Sequence, residues 1–318
     1  MNKKIITGVL ATLLIVGGIF SQVTEKNDLP LAETKVAEKS VEVEKISKPA
    51  QTEKNIPKAE AAEDNLFAGM DGAIASILND GSDYQVYIAY PEISEQYHFY
   101  TTTSQKFRSA SMIKVFILAT AMEKVENGTL QLNQPLTIDA HNKVGGAGIL
   151  VGYPTGTQLS LEEVLTDMII HSDNTATNMM IDLLGMDTIN EYIKRNGYTD
   201  TILQRKMMDF NGRENYTSAQ DLGNFFLKLY KNKVVSPASD QIMINILLGQ
   251  HDTECLNTAC PNKRIAHKTG ALAGNFSDGG IIYEGKNGDT ILVMMGENIT
   301  GEKTVIGRMK KFARHIIY

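Results

Sequence analysis

The chain has 318 residues, of which 42% are hydrophobic, and its formal net charge is −6. This length and apolar content allow a substantial buried core, which excludes fibrous and wholly disordered proteins. The acidic balance, without a run of Lys and Arg interleaved with aromatic residues, argues against a nucleic-acid partner.

The first 20 residues have the layout of an export signal. Lys3 and Lys4 precede an apolar stretch that begins at Ile5 and carries no charge. The stretch is shorter than the roughly 20 residues that cross a bilayer comfortably, yet no clear small-x-small cleavage site follows Phe20. We therefore expect export, either as a secreted protein or as one tethered to the outer face of the cytoplasmic membrane. A cleaved signal and a retained anchor are both left open.

Residues 21–64 are rich in Glu, Lys, Ala and Pro and contain no aromatic residue. This composition predicts a disordered charged spacer. With a retained anchor, such a spacer holds the following domain away from a membrane or wall surface. The folded domain is expected over residues 65–318.

The start of the folded domain combines a helix with paired strands. Apolar residues recur at helical spacing from Leu66 to Leu78, before Gly81. Residues 86–90 and Tyr97–Thr101 have the aromatic and β-branched content of strands. The segment after Ser111 is apolar on every face, which predicts a buried central helix.

The middle of the chain, residues 160–249, carries almost only helical signals. Two capping boxes are predicted, and two glycines stand where helices should stop. The capping pairs are Ser160 with Glu163 and Thr217 with Gln220, and the stops are Gly185 and Gly197.

Strands return near the C-terminus, at residues 264–267, 280–284 and 290–295, before an amphipathic helix over 302–317. Asn287-Gly288 is a favoured pair for a tight hairpin between the last two strands. Strands at both chain ends with helices between them predict an α+β fold: an antiparallel sheet built from both ends and flanked by helices, with an inserted all-helical lobe. A ligand is expected in the cleft between lobe and sheet.

Three short motifs occur in order along this fold: Ser111-Met112-Ile113-Lys114, Ser172-Asp173-Asn174 and Lys268-Thr269-Gly270. A match to the first motif alone is common and the two tripeptides are rarer, and all three in this order are a strong signal. Ser111 and Lys114 share a helix face, so a Lys114 amine with a depressed pKa can take the hydroxyl proton of Ser111. Burial at the positive end of the helix favours that neutral amine. The backbone N–H of Ser111 is a candidate oxyanion donor.

The other two motifs supply polar groups of different kinds. Ser172 can donate a proton to a leaving nitrogen, and Asn174 can hold a substrate amide or brace the lysine. Lys268 and Thr269 offer an ammonium and a hydroxyl to a substrate carboxylate, and Gly270 lets the substrate approach the backbone. The neighbouring histidines, His171 and His267, are interpreted as packing or polar-shell residues.

Through these motifs, residues 66–318 resemble the catalytic domain of class A β-lactamases. The resemblance implies that Ser111 is the acylated nucleophile, Lys114 its proton-managing neighbour and Ser172 the proton shuttle. It implies that Asn174 contacts the substrate side chain and that Ala271 supplies the second N–H of the oxyanion hole. In the same way, Lys268, Thr269 and Gly270 correspond to the strand that binds the substrate carboxylate.

The chain departs from this family at one position. Class A β-lactamases carry a Glu, usually within ExxLN, that activates water for hydrolysis of the acyl-enzyme. If Arg205 aligns with the Arg that usually precedes that Glu, then Met207 stands in its place, and a thioether cannot activate water. Asp209 and Glu214 are the nearby substitutes, and neither has the expected offset.

The resemblance implies a serine hydrolase that opens β-lactam rings through an acyl-enzyme, and the departure at Met207 leaves the efficiency of hydrolysis of that intermediate open. One alternative is a D,D-peptidase that acts on D-alanyl cell-wall peptides, and another is a β-lactam sensor or binding module without turnover. No metal or organic cofactor is implied, and a monomer is expected. Cys255 and Cys260 are close enough in an exported chain to predict a local disulfide, with two free thiols as the alternative.

Overall fold

The computed structural model describes residues 66–210 and 212–318. The predicted export signal (1–20) and spacer (21–64) lie outside the described residues. Within the described part, no helix combines the length and the apolarity that a membrane span needs.

The domain is organised around a five-stranded sheet. Its strands are β1 (Asp83–Ala89), β2 (Tyr97–Thr101), β7 (Ile265–Leu272), β8 (Asn275–Gly285) and β9 (Gly288–Glu297). The strand order is β2-β1-β9-β8-β7, and all pairings are antiparallel. Strands from both chain ends therefore share one sheet, which confirms the predicted α+β fold. Strand β7, which carries the third motif, lies at an edge of this sheet.

Between β2 and β7 the chain forms the inserted helical lobe. Its helices are α2 (Lys114–Glu126), α3 (Leu161–Ile170), α4 (Asn174–Leu184), α5 (Met186–Arg195), α6 (Ala219–Tyr230) and α7 (Pro237–Leu248). Two small ribbons accompany them, β3 (Phe107–Arg108) with β6 (Tyr216–Thr217) and β4 (Pro135–Thr137) with β5 (Gln158–Ser160). The remaining helices are α1 (Met70–Ile77), α8 (Leu256–Ala259) and α9 (Glu302–Ile317).

The sheet separates two apolar cores because successive side chains of a strand point to opposite faces. On one face, Val86 and Ile88 pack with Phe312 of α9. On the other face, Tyr87 belongs to the same core as Phe116 of α2. Helix α2 is buried at every position from 114 to 122, as its all-round apolar sequence predicts. This burial fixes the start of α2, and the serine before it, against the rest of the domain.

Two predicted helix starts differ from the structure for local reasons. The first helix begins at Met70 rather than Leu66, because Gly69 has a left-handed φ of 74°. Helix α6 is capped by Ser218, whose side chain accepts from the N–H of Asp221, so the capping box predicted for Thr217 and Gln220 is wrong. Ser160 and Glu163 do form the predicted box on α3.

The last hairpin turns one residue earlier than predicted. Gly285 pairs with Gly288, which leaves Lys286 and Asn287 as the two loop residues. Gly288 has a φ of 81° and is the first residue of β9. The glycine is therefore used at the end of the turn and not within it.

Cys255 and Cys260 are free cysteines in the structure, so the disulfide predicted between them is not formed. They flank the short helix α8 and pack in the core beside α9. Burial raises the pKa of Cys260 to about 11 and also raises that of Cys255. Both therefore serve as small apolar side chains rather than as reactive thiolates.

Candidate active site

The three sequence motifs meet at one end of the sheet, at the boundary with the helical lobe. Ser111 lies in a 3₁₀ turn, Ala110–Ile113, that leads directly into α2. Ser172-Asp173-Asn174 forms the junction between α3 and α4, and Lys268-Thr269-Gly270 lies on the edge strand β7. Residues of all three segments lie within hydrogen-bonding or van der Waals contact of one another.

Ser111 is held against the edge strand by close backbone packing. A β-carbon at Gly270 would lie 3.1 Å from the backbone nitrogen of Ser111 and 3.2 Å from the β-carbon of Ala110. Ala110 itself has a left-handed φ of 45°, which is uncommon for a residue with a side chain. Ala271, the next residue on β7, lines the same cavity as Ser111. The glycine of the third motif thus permits the strand to approach Ser111.

Lys114 is fully buried, and its amine faces the second motif. Its Nζ donates to the carbonyl of Ser172 at 2.6 Å and to Oδ1 of Asn174 at 3.0 Å, and it lies 3.2 Å from Oγ of Ser172. These hydrogen bonds go to the second motif rather than to Ser111. Burial and then the ammonium of Lys268 lower the pKa of Lys114 well below its ordinary value, with Asp173 opposing.

Ser172 lies between two lysines. Its Oγ accepts a hydrogen bond from Nζ of Lys268 at 3.0 Å, and Nζ of Lys114 lies on its other side. Lys268 also donates to the carbonyl of Thr269 at 2.8 Å. Burial lowers the pKa of Lys268 to about 8. The backbone of Ser172 has a left-handed φ of 50°. An uncommon backbone conformation therefore positions its hydroxyl between the two lysines.

Asp173 and Asn174 tie the second motif to the loop before it. Asn174 Nδ2 donates to the carbonyl of Gly145 at 2.9 Å. Asp173 caps α4 by accepting from the N–H of Ala176, and its other oxygen accepts from the N–H groups of Ile149 and Leu150. Sequence reasoning assigned no role to Asp173, although an Asp at the residue before a helix is itself a capping signal.

The loop after α5 supplies the opposite wall of the site. Met207 and Met208 line a cavity of about 400 Å³ together with Ser111, Asn174 and Ala271. Met207 is buried, and Asn178 of α4 holds its backbone in both directions: Oδ1 accepts from Met207 N at 2.8 Å and Nδ2 donates to Met207 O at 3.2 Å.

The candidate carboxylates on this loop are placed elsewhere. Glu214 accepts from Nε and Nη2 of Arg205, at 3.0 and 2.6 Å, and so closes the base of the loop. Neither Glu214 nor Asp209 is among the residues that line the cavity with Ser111. On the cavity wall, Met207 stands where a water-activating carboxylate would be expected.

The histidines beside the motifs form separate polar contacts. His267 is buried, with Nδ1 2.7 Å from Oδ1 of Asp278. His171 makes an edge-on ring contact with His251 at 4.8 Å. Neither histidine makes a hydrogen bond to Ser111 within the described residues, in keeping with their interpretation as supporting residues.

The geometry can now be compared with known proteins. A family model described as the β-lactamase enzyme family matches residues 70–317, which is most of the chain. The chain belongs to the β-lactamase enzyme family. This membership places the three motifs within a β-lactamase domain and is consistent with a serine enzyme.

Among solved structures of similar fold, the β-lactamase of Sphaerobacter thermophilus is 26% identical, with a TM-score of 0.71 over 78% of this chain and 95% of that chain. PBP-A is also 26% identical, with a TM-score of 0.72 over 79% and 95%. A variant of PBP-A has been solved as an acyl-enzyme complex with penicillin G. An ancestral class A β-lactamase, at 18% identity and a TM-score of 0.70 over 77% and 97%, shares the fold.

One curated relative, β-lactamase VEB-1 from Pseudomonas aeruginosa, is 23% identical over 176 residues. The match covers 52% of this chain and 59% of that relative, so the chain spans well under two thirds of the length of VEB-1. The family match, the S. thermophilus structure and VEB-1 therefore all point to the β-lactamase family. Which reaction this member carries out depends on the residues of its own site.

Proposed function

We propose that this protein reacts with β-lactams by acylation of Ser111 and releases the opened ring only slowly. The observation that carries the proposal is the composition of one cavity. Ser111 lies in it beside Asn174, which contacts Lys114, while the facing wall carries Met207. Groups that can transfer protons are therefore present for acylation of Ser111. Hydrolysis of the acyl-enzyme also needs such a group, and the wall that carries Met207 lacks one.

Lys114 is the proposed base for the first half. A neutral amine has two N–H groups, which the carbonyl oxygens of Ser172 and Asn174 occupy. Its lone pair is then available to a hydroxyl proton. The depressed pKa of Lys114 favours this neutral form at physiological pH.

The ring opens when Oγ of Ser111 attacks the lactam carbonyl and the carbon–nitrogen bond breaks. The proton leaves Ser111 toward Lys114, and Ser172 delivers a proton to the departing nitrogen. Ser172 is suited to this transfer because its Oγ lies 3.2 Å from Nζ of Lys114 and 3.0 Å from Nζ of Lys268. Lys114 then passes the proton that it took from Ser111 to Oγ of Ser172, and the charge of Lys268 favours this transfer.

The remaining groups orient the substrate. We assign the N–H groups of Ser111 and Ala271 to the oxyanion hole, since β7 packs against the 3₁₀ turn at this point. Lys268 and Thr269 are assigned to the substrate carboxylate, and Asn174 to the amide of its side chain.

Hydrolysis of the acyl-enzyme needs a base that activates water, and general-base catalysis contributes typically ~10²–10⁴-fold. Met207 cannot accept a proton, and Glu214 is engaged by Arg205. The similarity to PBP-A supports the acylation step, because a variant of that protein was solved as an acyl-enzyme complex with penicillin G.

A second candidate is a D,D-peptidase that acts on peptides ending in D-alanyl-D-alanine. The wall that carries Met207 also favours this candidate. Transfer of the acyl group to an amine of a second peptide does not require the water-activating base that hydrolysis needs. The Lys268 and Thr269 pair suits a C-terminal carboxylate equally well. Export, proposed from the sequence of residues 1–20, would bring either activity to the cell envelope.

Mass spectrometry of proteolytic peptides tests the assignment of the nucleophile. After incubation with benzylpenicillin, the adduct should map to the peptide that contains Ser111. The same protein should be incubated with a D-alanyl-D-alanine peptide, and release of D-alanine at a rate well above that of the Ser111→Ala variant would favour the second candidate. An adduct on another residue would contradict both.

A further inference from the structure

A buried chain of hydrogen bonds lies beside Lys268 and is not part of the three motifs. His267 and Asp278 are 1% and 0% exposed, and their Nδ1 and Oδ1 atoms are 2.7 Å apart. On the other side of the ring, Nε2 of His267 lies 3.0 Å from Nδ2 of Asn257. The chain therefore links strand β8, through β7, to the start of α8.

The hydrogen bonds determine which ring nitrogen of His267 carries its proton. Nδ2 of Asn257 also donates to the carbonyl of Asp252 at 2.6 Å, which identifies this atom as the amide nitrogen. Nε2 must then accept, so the ring proton is on Nδ1 and is donated to Asp278. The second oxygen of Asp278 accepts from the N–H of Leu256 at 2.8 Å.

The neighbouring strand is shaped to admit this histidine. His267 pairs with Gly280 across the β7–β8 ladder. A β-carbon at Gly280 would lie 2.6 Å from Cα and 2.8 Å from Cβ of His267. Only glycine can stand opposite His267 without moving it, so the two strands approach closely at this point.

The segment held by Asn257 carries a carboxylate. Asp252 N donates to Oε1 of Gln250 at 3.0 Å, and Oδ1 of Asp252 accepts from the N–H of Glu254 at 2.8 Å. The charges of Asp252 and Asp278 both favour protonated Lys268, in opposition to the burial that lowers its pKa to about 8. Lys114, the other titratable group near Lys268, acts in the opposite sense when it is charged.

We propose that Asp278, His267 and Asn257 hold residues 252–257, and with them the Asp252 carboxylate, in place beside Lys268. His267 and Asn257 are then positioning residues for recognition of the substrate carboxylate and do not touch the reacting atoms. The functional part rests on the role proposed above for Lys268, whereas the electrostatic part can be measured without any substrate.

The choice of variant decides how clearly the proposal can be tested. His267→Ala would leave the buried Asp278 carboxylate without its partner and would destabilise the fold. Asn257→Ala removes the link at a half-buried residue and keeps the His267–Asp278 pair. Asn245→Ala, at an exposed Asn on α7, is the matched control.

The first measurement is the titration of Lys268 by NMR in protein labelled with ¹³C-lysine, with the signal assigned through Lys268→Arg. In Asn257→Ala we expect the midpoint for Lys268 to fall by about half a pH unit or more, because Asp252 no longer stays close. The midpoint in Asn245→Ala should equal that of the wild type. An unchanged midpoint in Asn257→Ala overturns the proposal, whatever the protein does with β-lactams.

The second measurement compares acylation by benzylpenicillin with acylation by its methyl ester, which lacks the carboxylate. At pH 8, Asn257→Ala should slow acylation by benzylpenicillin about twofold or more, in proportion to the lost protonated fraction of Lys268, and should leave the ester rate unchanged. Equal slowing of both compounds indicates a merely structural role and overturns the proposal. Wild-type protein that reacts with neither compound contradicts the proposed function instead, and the NMR titration still decides the positioning role.

Discussion

The polar wall of the active site differs sharply in chemistry from its apolar wall. On the side of the second and third motifs, Lys114, Ser172 and Lys268 share hydrogen bonds of 3.0 to 3.2 Å through a single hydroxyl. On the facing side, the loop after α5 presents Met207 and the half-exposed Met208. The polar wall, made by Lys114, Ser172 and Lys268, carries groups that can move protons. Met207 and Met208, which make the apolar wall, offer only apolar contacts, although Arg205 and Asn215 line the cavity beside them.

In the proposed reaction, the two halves of acyl transfer are carried by separate parts of the fold. The groups for acylation come from the starts of α2 and α4 and from β7, which the core holds in place. The group for hydrolysis would have to come from a surface loop closed by the Arg205–Glu214 pair. A change in that loop can therefore remove turnover without removing covalent reaction.

The largest expected effect comes from removal of the nucleophile. Ser111→Ala should abolish covalent labelling by a fluorescent penicillin, because no bond to the lactam carbonyl can form. Its melting temperature should stay close to that of the wild type, since the loss of one half-buried hydroxyl needs no repacking. Ser109→Ala, in the same loop, is the control and should label normally. Labelling that persists in Ser111→Ala would exclude the assigned nucleophile.

Loss of the base should weaken the polar wall severely. Lys114→Met fills the buried site with a side chain of similar length and leaves no unpaired charge. Acylation should slow by ~10²–10⁴-fold, the usual contribution of a positioned base. Stopped-flow measurement with a chromogenic cephalosporin gives this rate, and a rate within about twofold of the wild type would remove Lys114 from the mechanism.

A carboxylate on the apolar wall should make the two walls more alike. Met207→Glu should speed hydrolysis of the acyl-enzyme by ~10²-fold, since burial raises the pKa of a carboxyl and makes it a better base. Release of penicilloate over time measures this step. Met208→Glu is the matched control on the adjacent, more exposed position and should change it little. Equal rates for Met207→Glu and the wild type would show that residue 207 does not face the ester.

The smallest expected effect is a pH dependence of the polar wall. Lys268 has a pKa of about 8, so its positive charge is complete below that pH and is lost as the pH rises through it. Acylation by benzylpenicillin should therefore fall to roughly a tenth between pH 7 and pH 9. Lys268→Arg, which stays protonated, should not show this decline whatever its rate at pH 7. An alkaline limb that persists in Lys268→Arg would have to come from another group.

The sequence was sufficient for the fold class and for bringing the motifs together. Alternating apolar residues specify which face of β1 meets which core, and the apolar run after Ser111 specifies a buried helix. Gly270 of the third motif was assigned to the approach of the substrate, and in the structure it also admits the backbone of Ser111. These features depend on local pattern and residue type, which a sequence displays directly.

Other features depend on contacts between distant residues and were missed. The pairing of Asn178 with the backbone of Met207 joins α4 to a loop 29 residues later. The position of Asn178, four residues after Asn174 on one helix face, was the available signal. The hydrogen-bonded chain through His267 likewise depends on the register of β7 with β8, which is set by the whole sheet.

The most direct test of the central claim is intact-protein mass spectrometry during reaction with benzylpenicillin, with free penicilloate measured in the same samples. The account predicts rapid conversion to a single adduct that decays far more slowly than it forms, with little penicilloate beyond one equivalent. A transient adduct with steadily accumulating penicilloate would contradict the inert wall at Met207. The absence of any adduct would contradict acylation of Ser111 itself.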